Sequence, residues 1–149
     1  MTRIRIHTDG ACTGNPGPGG WAAVINYPKE LKEISGFEKQ STNNRMELKA
    51  ALEAINEVLK SKVSFKRLEI YSDSAYLVNA INQKWVKKWS FNGWRTINGV
   101  EVKNKDLWEE LFPLLKNRKI SFIKVKGHNG DKWNERADFL AKKQIYVNL

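Results

Sequence analysis

The stretch that decides the fold is Thr8-Asp9-Gly10-Ala11-Cys12-Thr13-Gly14-Asn15-Pro16-Gly17-Pro18-Gly19-Gly20. It follows a run in which Ile4, Ile6 and Thr8 alternate with polar residues, and this alternation predicts a strand that is buried on one face only. Glycine and proline then break the pattern, so we expect Asp9 at the C-terminal end of the strand, facing a turn.

Length and composition indicate a folded, basic domain. The 149 residues suffice for a single domain spanning 1–149, and 41% of them are hydrophobic, as in a globular protein. Lys and Arg number 26 against 16 Asp and Glu, and the formal net charge of +10 predicts a polyanionic partner, nucleic acid first. A membrane surface is the alternative, but no apolar run approaches the length of a spanning helix.

The N-terminus and the cysteine content predict the compartment. The chain enters a strand pattern without a signal-like apolar stretch, and its single cysteine, Cys12, excludes an internal disulfide. We therefore expect a soluble cytoplasmic protein in which Cys12 is a small loop residue.

Three strands are predicted before the first helix. After the strand that ends at Asp9, alternating runs predict strands over 21–27 and 31–37, joined by short turns as in an antiparallel meander. From Met46 the apolar residues recur at three- and four-residue steps, which predicts an amphipathic helix. Its start is expected within Ser41-Thr42-Asn43-Asn44.

The second half of the chain alternates strands and helices. Alternation over 65–72 predicts a strand that ends at Asp73, and helical spacing then continues from Ala75 through Trp85. The later patterns predict a helix over 106–115, a strand over 120–125 and a last helix capped by Asp131. This order predicts an α/β fold, with helices packed on a mixed sheet whose later strands are parallel.

Four carboxylates are candidates for a metal site: Asp9, Glu47, Asp73 and Asp138. Strand-end Asp and helical Glu offer the hard oxygen ligands that Mg²⁺ prefers, and Asp9 and Asp73 are both expected where parallel strands end. Asp138 shares a helical stripe with apolar residues, where an unpaired carboxylate is costly, so it needs a partner.

Several of these residues also have an alternative, purely structural role in a turn or a helix cap. Asp9 suits a turn, Asp73 suits a helix cap, and Glu47 completes a capping box if Asn44 is the N-cap. His128, in a glycine-flanked loop, is a candidate proton shuttle near neutral pH, although a lone loop histidine is usually only solvated.

A basic and aromatic segment lies between residues 84 and 105. Its cations are Lys84, Lys87, Lys88, Arg95, Lys103 and Lys105, interleaved with Trp85, Trp89, Phe91 and Trp94. The cations suit phosphates, with a merely solvated charged face as the alternative. Trp85 and Trp89 follow Ile81 at four-residue steps, which predicts packing on one helix face, and core packing is the favoured role of the aromatic residues. Asn15, Asn43 and Asn44 add amides suited to a ribose 2′-hydroxyl, or to turns and caps.

Five blocks of the sequence resemble the ribonuclease HI family, the bacterial-type ribonucleases H of the retroviral integrase-like superfamily. The blocks are Thr8-Asp9-Gly10 with Gly14-Asn15-Pro16-Gly17-Pro18-Gly19-Gly20, then Thr42-Asn43-Asn44-Arg45-Met46-Glu47-Leu48, Ser72-Asp73-Ser74, Val125-Lys126-Gly127-His128 and Asn134-Glu135-Arg136-Ala137-Asp138. They occur in family order over nearly the whole chain. The resemblance implies a ribonuclease H-like five-stranded mixed sheet of order 3-2-1-4-5, with its first three strands antiparallel and helices on both faces.

The resemblance also implies functional roles. Asp9, Glu47, Asp73 and Asp138 are similar to the family's metal-binding carboxylates, and His128 to its mobile-loop histidine. The positions similar to substrate contacts are Asn15, Asn43 and Asn44 near the cleaved strand, Thr42 in a DNA-phosphate pocket, and Lys84, Trp85, Lys87, Lys88, Trp89 and Arg95 in the substrate-binding protrusion. Residues 90–92 and 97–100 make this protrusion less basic than in the best-known bacterial members. This difference concerns the affinity for the hybrid rather than the chemistry of cleavage.

The expected activity is cleavage of the RNA strand of RNA–DNA hybrids by a monomer, giving 5′-phosphate and 3′-hydroxyl ends. Two Mg²⁺ ions, for which Mn²⁺ can substitute, would activate the attacking water and stabilise the leaving 3′ oxygen. Two other hypotheses stay open: a nucleic-acid-binding module whose carboxylates serve only turns and caps, and an integrase-like enzyme that cuts or joins DNA.

Overall fold

The computed structural model describes residues 2–116, 118–126 and 131–149, and within them it contains five strands and five helices. In chain order these are β1 (Arg3–Cys12), β2 (Gly17–Asn26), β3 (Leu31–Ser41), α1 (Asn43–Ser61), β4 (Arg67–Ser72), α2 (Ala75–Asn82), α3 (Trp85–Phe91), α4 (Lys105–Leu115), β5 (Ile120–Lys124) and α5 (Lys132–Val147). Within the described ranges, every helix is too short or too polar to cross a lipid bilayer.

The strands form one mixed sheet in the order β3-β2-β1-β4-β5. β1 pairs antiparallel with β2, and β2 pairs antiparallel with β3, whereas β4 pairs parallel with both β1 and β5. The predicted order and the antiparallel meander of the first three strands are confirmed. The crossovers from β1 to β4 and from β4 to β5 pass through helices, as parallel neighbours require.

Helices cover both faces of the sheet, and two adjacent glycines of β2 show this directly. A Cβ at Gly19 would lie 2.8 Å from the Cγ of Met46 in α1, whereas a Cβ at Gly20 would collide with the carbonyl oxygen of Ala141 in α5. Since successive residues of a strand point to opposite faces, α1 and α5 lie on opposite sides of the sheet. The glycines of the opening stretch therefore bring both helices close, and β2 begins at Gly17 rather than at the predicted residue 21.

The end of β1 differs from the prediction. β1 does not stop at Asp9 but continues to Cys12, because its antiparallel ladder with β2 extends to the pair Cys12 and Gly19. Cys12 is accordingly a strand residue rather than a loop residue. The strand is also buried on both faces near its middle, since α5 covers the side on which His7 and Asp9 lie.

The helical pattern from Ala75 through Trp85 corresponds to two helices, which corrects the prediction of one. α2 ends at Asn82, and Lys84 adopts a left-handed backbone conformation with φ of 63° before α3 begins. A left-handed residue cannot continue a right-handed helix, so the apolar spacing persists across the break although the helix does not.

The helix caps decide between alternatives that the sequence leaves open. The Thr42 hydroxyl caps α1 by accepting from the Arg45 N–H (3.2 Å), and the Ser74 hydroxyl caps α2 by accepting from the Leu77 N–H (3.1 Å). Asn44 is thus not the N-cap of α1, and Asp73 is not the N-cap of α2. The predicted cap of α5 by Asp131 is confirmed.

Candidate active site

Asp9 and Asp73 meet at the sheet edge because of the register of β1 and β4. The parallel ladder between these strands ends at the pair His7 and Tyr71, and each aspartate lies two residues beyond it. Glu47 joins them from the first turns of α1. One carboxylate oxygen from each of the three residues lies within 4.8 Å of the others.

Asp138 approaches the same place from α5, on the other side of the sheet from Glu47. Its carboxyl group lies close enough to Asp9 to raise the pKa of that residue. All four carboxylates line one open cleft of about 490 Å³. The structure therefore brings together the four candidates that the sequence proposes for a metal site, from one strand, one strand end and two helices.

Gly10 lets α1 come close enough for Glu47 to reach the sheet. A Cβ at Gly10 would lie 2.5 Å from the backbone nitrogen of Glu47, so any other residue would push the helix away. The backbone of Gly10 also lowers the pKa of the Asp9 and Glu47 carboxyls, against the larger effect of their burial. Sequence reasoning treats this glycine only as part of a turn, and its position directly after a candidate ligand is the signal that could reveal its role.

Burial and mutual repulsion oppose ionisation of the cluster. Asp9 is 8% exposed and Glu47 is 3% exposed. Burial raises the pKa of Asp9 from 3.8 to about 8, with further contributions from the charge of Asp73 and from Asp138. Burial, followed by the charges of Asp9 and Asp73, likewise raises the pKa of Glu47 well above its usual range. Such a site favours bound cations or protons.

The donor set fits a divalent cation. The Oε1 atom of Glu47 is buried and has no hydrogen-bond partner among the described residues, which is costly for a carboxylate oxygen. Glu47 lines a cleft whose other candidate donors are carboxylate oxygens, the hard ligands that suit Mg²⁺ or Mn²⁺. Asp9, Glu47 and Asp73 are the residues placed to hold such an ion together.

Lys142 is a cleft residue that the sequence analysis does not identify. Its Nζ lies 3.1 Å from the Oδ2 of Asp138, one helical turn earlier in α5. The four-residue spacing from Asp138 is the sequence signal that could have found it. Asp138 is thereby provided with the partner that its position on the helix predicts.

Two of the three predicted asparagines line the cleft, and the third is hydrogen-bonded to one of them. Asn43 and Asn44 line it directly. The Asn15 side-chain oxygen accepts from the Asn43 N–H at 3.0 Å and so fastens the glycine-rich turn to the start of α1. The Thr42 hydroxyl accepts a hydrogen bond as the cap of α1 but donates none to the described residues, so its O–H can donate to a ligand.

The residues of the basic segment are divided among different environments. Trp89 is partly buried and packs edge-on against the fully buried Trp108, with ring centroids 6.1 Å apart, at the margin of the core. Trp85 is 37% exposed, and Lys84, Lys87 and Lys88 are exposed as well. The Arg95 guanidinium donates to the Gly99 carbonyl at 2.9 Å, which holds the tip of the protrusion.

A hydrogen-bond network connects the protrusion to the cleft. The Arg45 guanidinium, in the first turn of α1, donates to both carboxylate oxygens of Asp106 in α4, at 2.9 and 2.7 Å. The Tyr76 hydroxyl, beside the cleft, accepts from Asn104 and from the Trp108 indole. The remaining candidate, His128, lies outside the described residues.

Comparison with known proteins assigns the family. The sequence profile of the RNase H family matches residues 1–146. A ribonuclease H of Acetivibrio thermocellus is 53% identical over 148 residues, covering 99% of this chain and 98% of the relative, and one of Syntrophomonas wolfei is 50% identical over 145 residues, covering 97% of both.

Solved structures agree with the sequence comparison. The crystal structure of LC9-RNase H1, a type 1 RNase H with the type 2 active-site motif, superposes with a TM-score of 0.86 at 27% identity, covering 100% of this chain and 74% of that one. LC11-RNase H1, crystallised in complex with an RNA/DNA hybrid, shares the fold with a TM-score of 0.75 at 24% identity, covering 97% and 98% of the two chains. With half of its residues identical to ribonucleases H over nearly its full length, this chain belongs to the RNase H family.

Proposed function

We propose that this ribonuclease H is an endonuclease that hydrolyses the RNA strand of RNA–DNA hybrids, using divalent cations held by Asp9, Glu47, Asp73 and Asp138. The observation that carries the proposal is that carboxylate oxygens of Asp9, Glu47 and Asp73 converge within 4.8 Å of one another, while the buried Oε1 atom of Glu47 has no hydrogen-bond partner among the described residues. A turn or cap role accounts for none of these three, because Thr42 and Ser74 provide the caps and β1 continues past Asp9.

The four carboxylates would hold two Mg²⁺ ions, with Mn²⁺ able to replace them. Cations bound there would activate a water as nucleophile and stabilise the charge on the leaving 3′ oxygen, so that the products carry 5′-phosphate and 3′-hydroxyl ends. The contribution of the protein is to fix the oxygens before the substrate arrives. Asp9 is fixed by the ladder with β2, and Glu47 by the contact of α1 with Gly10.

The cleft also offers groups that distinguish RNA from DNA. Asn43 and Asn44 lie beside the carboxylates and Asn15 is tied to Asn43, so that amide donors and acceptors face the strand that would be cut. The 2′-hydroxyl both donates and accepts, which matches these amides and is absent from DNA. The hybrid-bound crystal structure of LC11-RNase H1, which shares this fold, supports a hybrid as the substrate.

The DNA strand would lie on Thr42 and on the protrusion. The Thr42 hydroxyl can donate to a phosphate while it caps α1. Trp85 and Lys88 are neighbours on one exposed flank of α3, and with Lys84, Lys87 and Arg95 they would contribute phosphate contacts.

His128 would move protons at the reacting phosphate. We propose that the enzyme acts in the cytoplasm as a monomer with a single catalytic domain, residues 1–149.

The proposal is tested by one assay with four substrates. End-labelled RNA–DNA hybrid, with the label in either strand, is compared with duplex DNA and duplex RNA, in Mg²⁺, in Mn²⁺ and after chelation. We expect cleavage only of the RNA strand of the hybrid, only with a divalent ion, and an inactive but folded Asp9→Asn variant. Cleavage that survives chelation would refute the metal role, salt-sensitive binding without cleavage would indicate a binding module, and cutting of duplex DNA would indicate an integrase-like activity.

A further inference from the structure

We propose that Lys142 is a built-in counter-cation of the carboxylate cluster, which competes with divalent cations and thereby sets the metal concentration at which the site fills. This inference rests on the proposed function, because it assigns a residue that tunes the same site. Lys142 is a positioning and electrostatic residue in this account, and it does not act on the substrate.

The charges that line the cleft are strongly unbalanced. Its acidic residues are Asp9, Glu47, Asp73 and Asp138, and among the described residues that line it Lys142 is the one cation. A cluster of buried carboxylates without any counter-charge destabilises the folded protein. The ammonium group therefore offsets part of the repulsion whenever no divalent ion is bound.

The direction of Lys142 is fixed by the packing of α5 on β2. Ala141, its neighbour, is fully buried, and its carbonyl oxygen lies against Gly20, where a side chain could not fit. This contact sets the rotation of the helix, and it presents Asp138 and Lys142 together to the cleft. The Lys142 ammonium is then 3.1 Å from the Asp138 oxygen.

The ammonium can also leave the cleft. The Lys142 side chain is 59% exposed, so the long aliphatic stem can swing into solvent, whereas Asp138 is only 26% exposed. A cation held in this way is displaceable, unlike a residue locked into the core. Filling of the site by a divalent ion would be accompanied by the release of Asp138 from the ammonium.

Two effects of opposite sign follow when the charge is removed. The metal-free protein loses a counter-cation and becomes less stable. A divalent ion no longer meets repulsion from the ammonium, nor must Asp138 be freed from an ion pair, so metal binding becomes tighter. An ordinary surface pair between residues four apart in a helix, such as Lys49 and Glu53, would change stability slightly and would leave metal affinity unchanged.

The test compares Lys142→Met with Lys142→Arg and with the control Lys143→Met. Lys143 is the exposed neighbour on the same helix, so its substitution changes the net charge equally without removing a group from the cleft. Binding of Mg²⁺ is measured by calorimetry in the absence of nucleic acid, and Tm is measured in excess chelator and in Mg²⁺.

We expect Lys142→Met to bind Mg²⁺ about three- to tenfold more tightly than the wild type, since a unit charge near a divalent ion contributes on this scale even in water. Its Tm in chelator should fall below that of Lys143→Met, and its Mg²⁺-induced rise in Tm should be larger. Lys142→Arg, which keeps the charge, should resemble the wild type.

Unchanged or weaker Mg²⁺ binding by Lys142→Met would overturn the inference, and weaker binding would mean that Lys142 serves to hold Asp138 in place for the metal. If the wild type binds Mg²⁺ and cleaves the hybrid while Lys142→Met and Lys143→Met behave alike, this inference alone fails. If the wild type binds no Mg²⁺ at all, both the inference and the proposed metal site fail.

Discussion

The backbone nitrogen of Glu47 lies 2.5 Å from the position that a Cβ of Gly10 would occupy. A strand of the sheet and the first turn of α1 therefore touch backbone to backbone, directly beside Asp9. The contact places two candidate ligands from distant parts of the sequence within reach of one ion. It also explains why the residue after Asp9 is a glycine although β1 continues through it.

Substitution of Gly10 by alanine should damage the site and the fold together. Because the added methyl group meets backbone atoms rather than a flexible side chain, we expect Gly10→Ala to lower the free energy of unfolding by about 1–3 kcal/mol. The displaced Glu47 should weaken Mg²⁺ binding, which calorimetry measures directly. Gly19→Ala is the matched control, because its methyl group meets chiefly the movable side chain of Met46. Equal Mg²⁺ affinities in the two variants would contradict this role of Gly10.

The stability of the metal-free protein should fall as the pH rises. The pKa of Asp9 is about 8 in the folded protein against an ordinary value of 3.8, so between these values the folded state holds a proton that the unfolded chain releases. The stabilisation of the folded state by this proton is fully present below pH 3.8 and is lost as the pH rises through about 8. The raised pKa of Glu47 acts in the same direction.

The variant Asp9→Asn isolates this effect. In excess chelator we expect the Tm of Asp9→Asn to exceed that of the wild type by a margin that widens from about pH 5 to about pH 9, because the amide cannot ionise. Saturating Mg²⁺ should reduce the margin, since the bound cation favours the ionised carboxylates. A margin that is independent of pH in the metal-free proteins would show that Asp9 is not the group whose proton is lost.

Trp85 and Trp89 should respond differently to the same substitution. Trp89→Ala removes a ring that packs on Trp108, and we expect a loss of about 3 kcal/mol in the free energy of unfolding. Trp85 is more exposed, so Trp85→Ala should cost under about 1 kcal/mol but should weaken binding of the hybrid. Chemical denaturation measures the change in the free energy of unfolding. Binding of the hybrid is measured after each tryptophan substitution is combined with Asp9→Asn, so that the substrate is not cleaved. A Trp85→Ala variant with unchanged hybrid affinity would remove that residue from the substrate surface.

Periodicity in the sequence was sufficient to predict a mixed sheet with helices packed on it. The antiparallel meander and the parallel later strands were predicted correctly from local spacings and crossover rules, whereas the strand order was implied by the resemblance to the ribonuclease HI family. The break between α2 and α3 was missed, since the apolar spacing of Val78, Ile81 and Trp85 is the same on both sides of Lys84. The left-handed backbone conformation of Lys84, which ends the helix, does not alter the spacing of the apolar residues.

The candidate site was predicted less completely than the fold. The carboxylates could be named from their positions in motifs, whereas the role of Gly10 depends on a contact with α1 that no local pattern encodes. Lys142 was missed because a lysine on a helix ordinarily faces solvent, and its position in the cleft follows from the rotation of α5 against Gly20. The end of β1 was misplaced because glycine and proline usually stop a strand, but here they allow close packing on both faces.

Crystals of the protein soaked in Mn²⁺ provide the most direct test of the central claim, since anomalous scattering locates the ion without reference to activity. The account predicts a strong peak bonded to carboxylate oxygens of Asp9, Glu47 and Asp73, which disappears in Asp9→Asn crystals. Mn²⁺ peaks that lie only at other surface carboxylates, or a peak in the cleft that persists in Asp9→Asn, would contradict it.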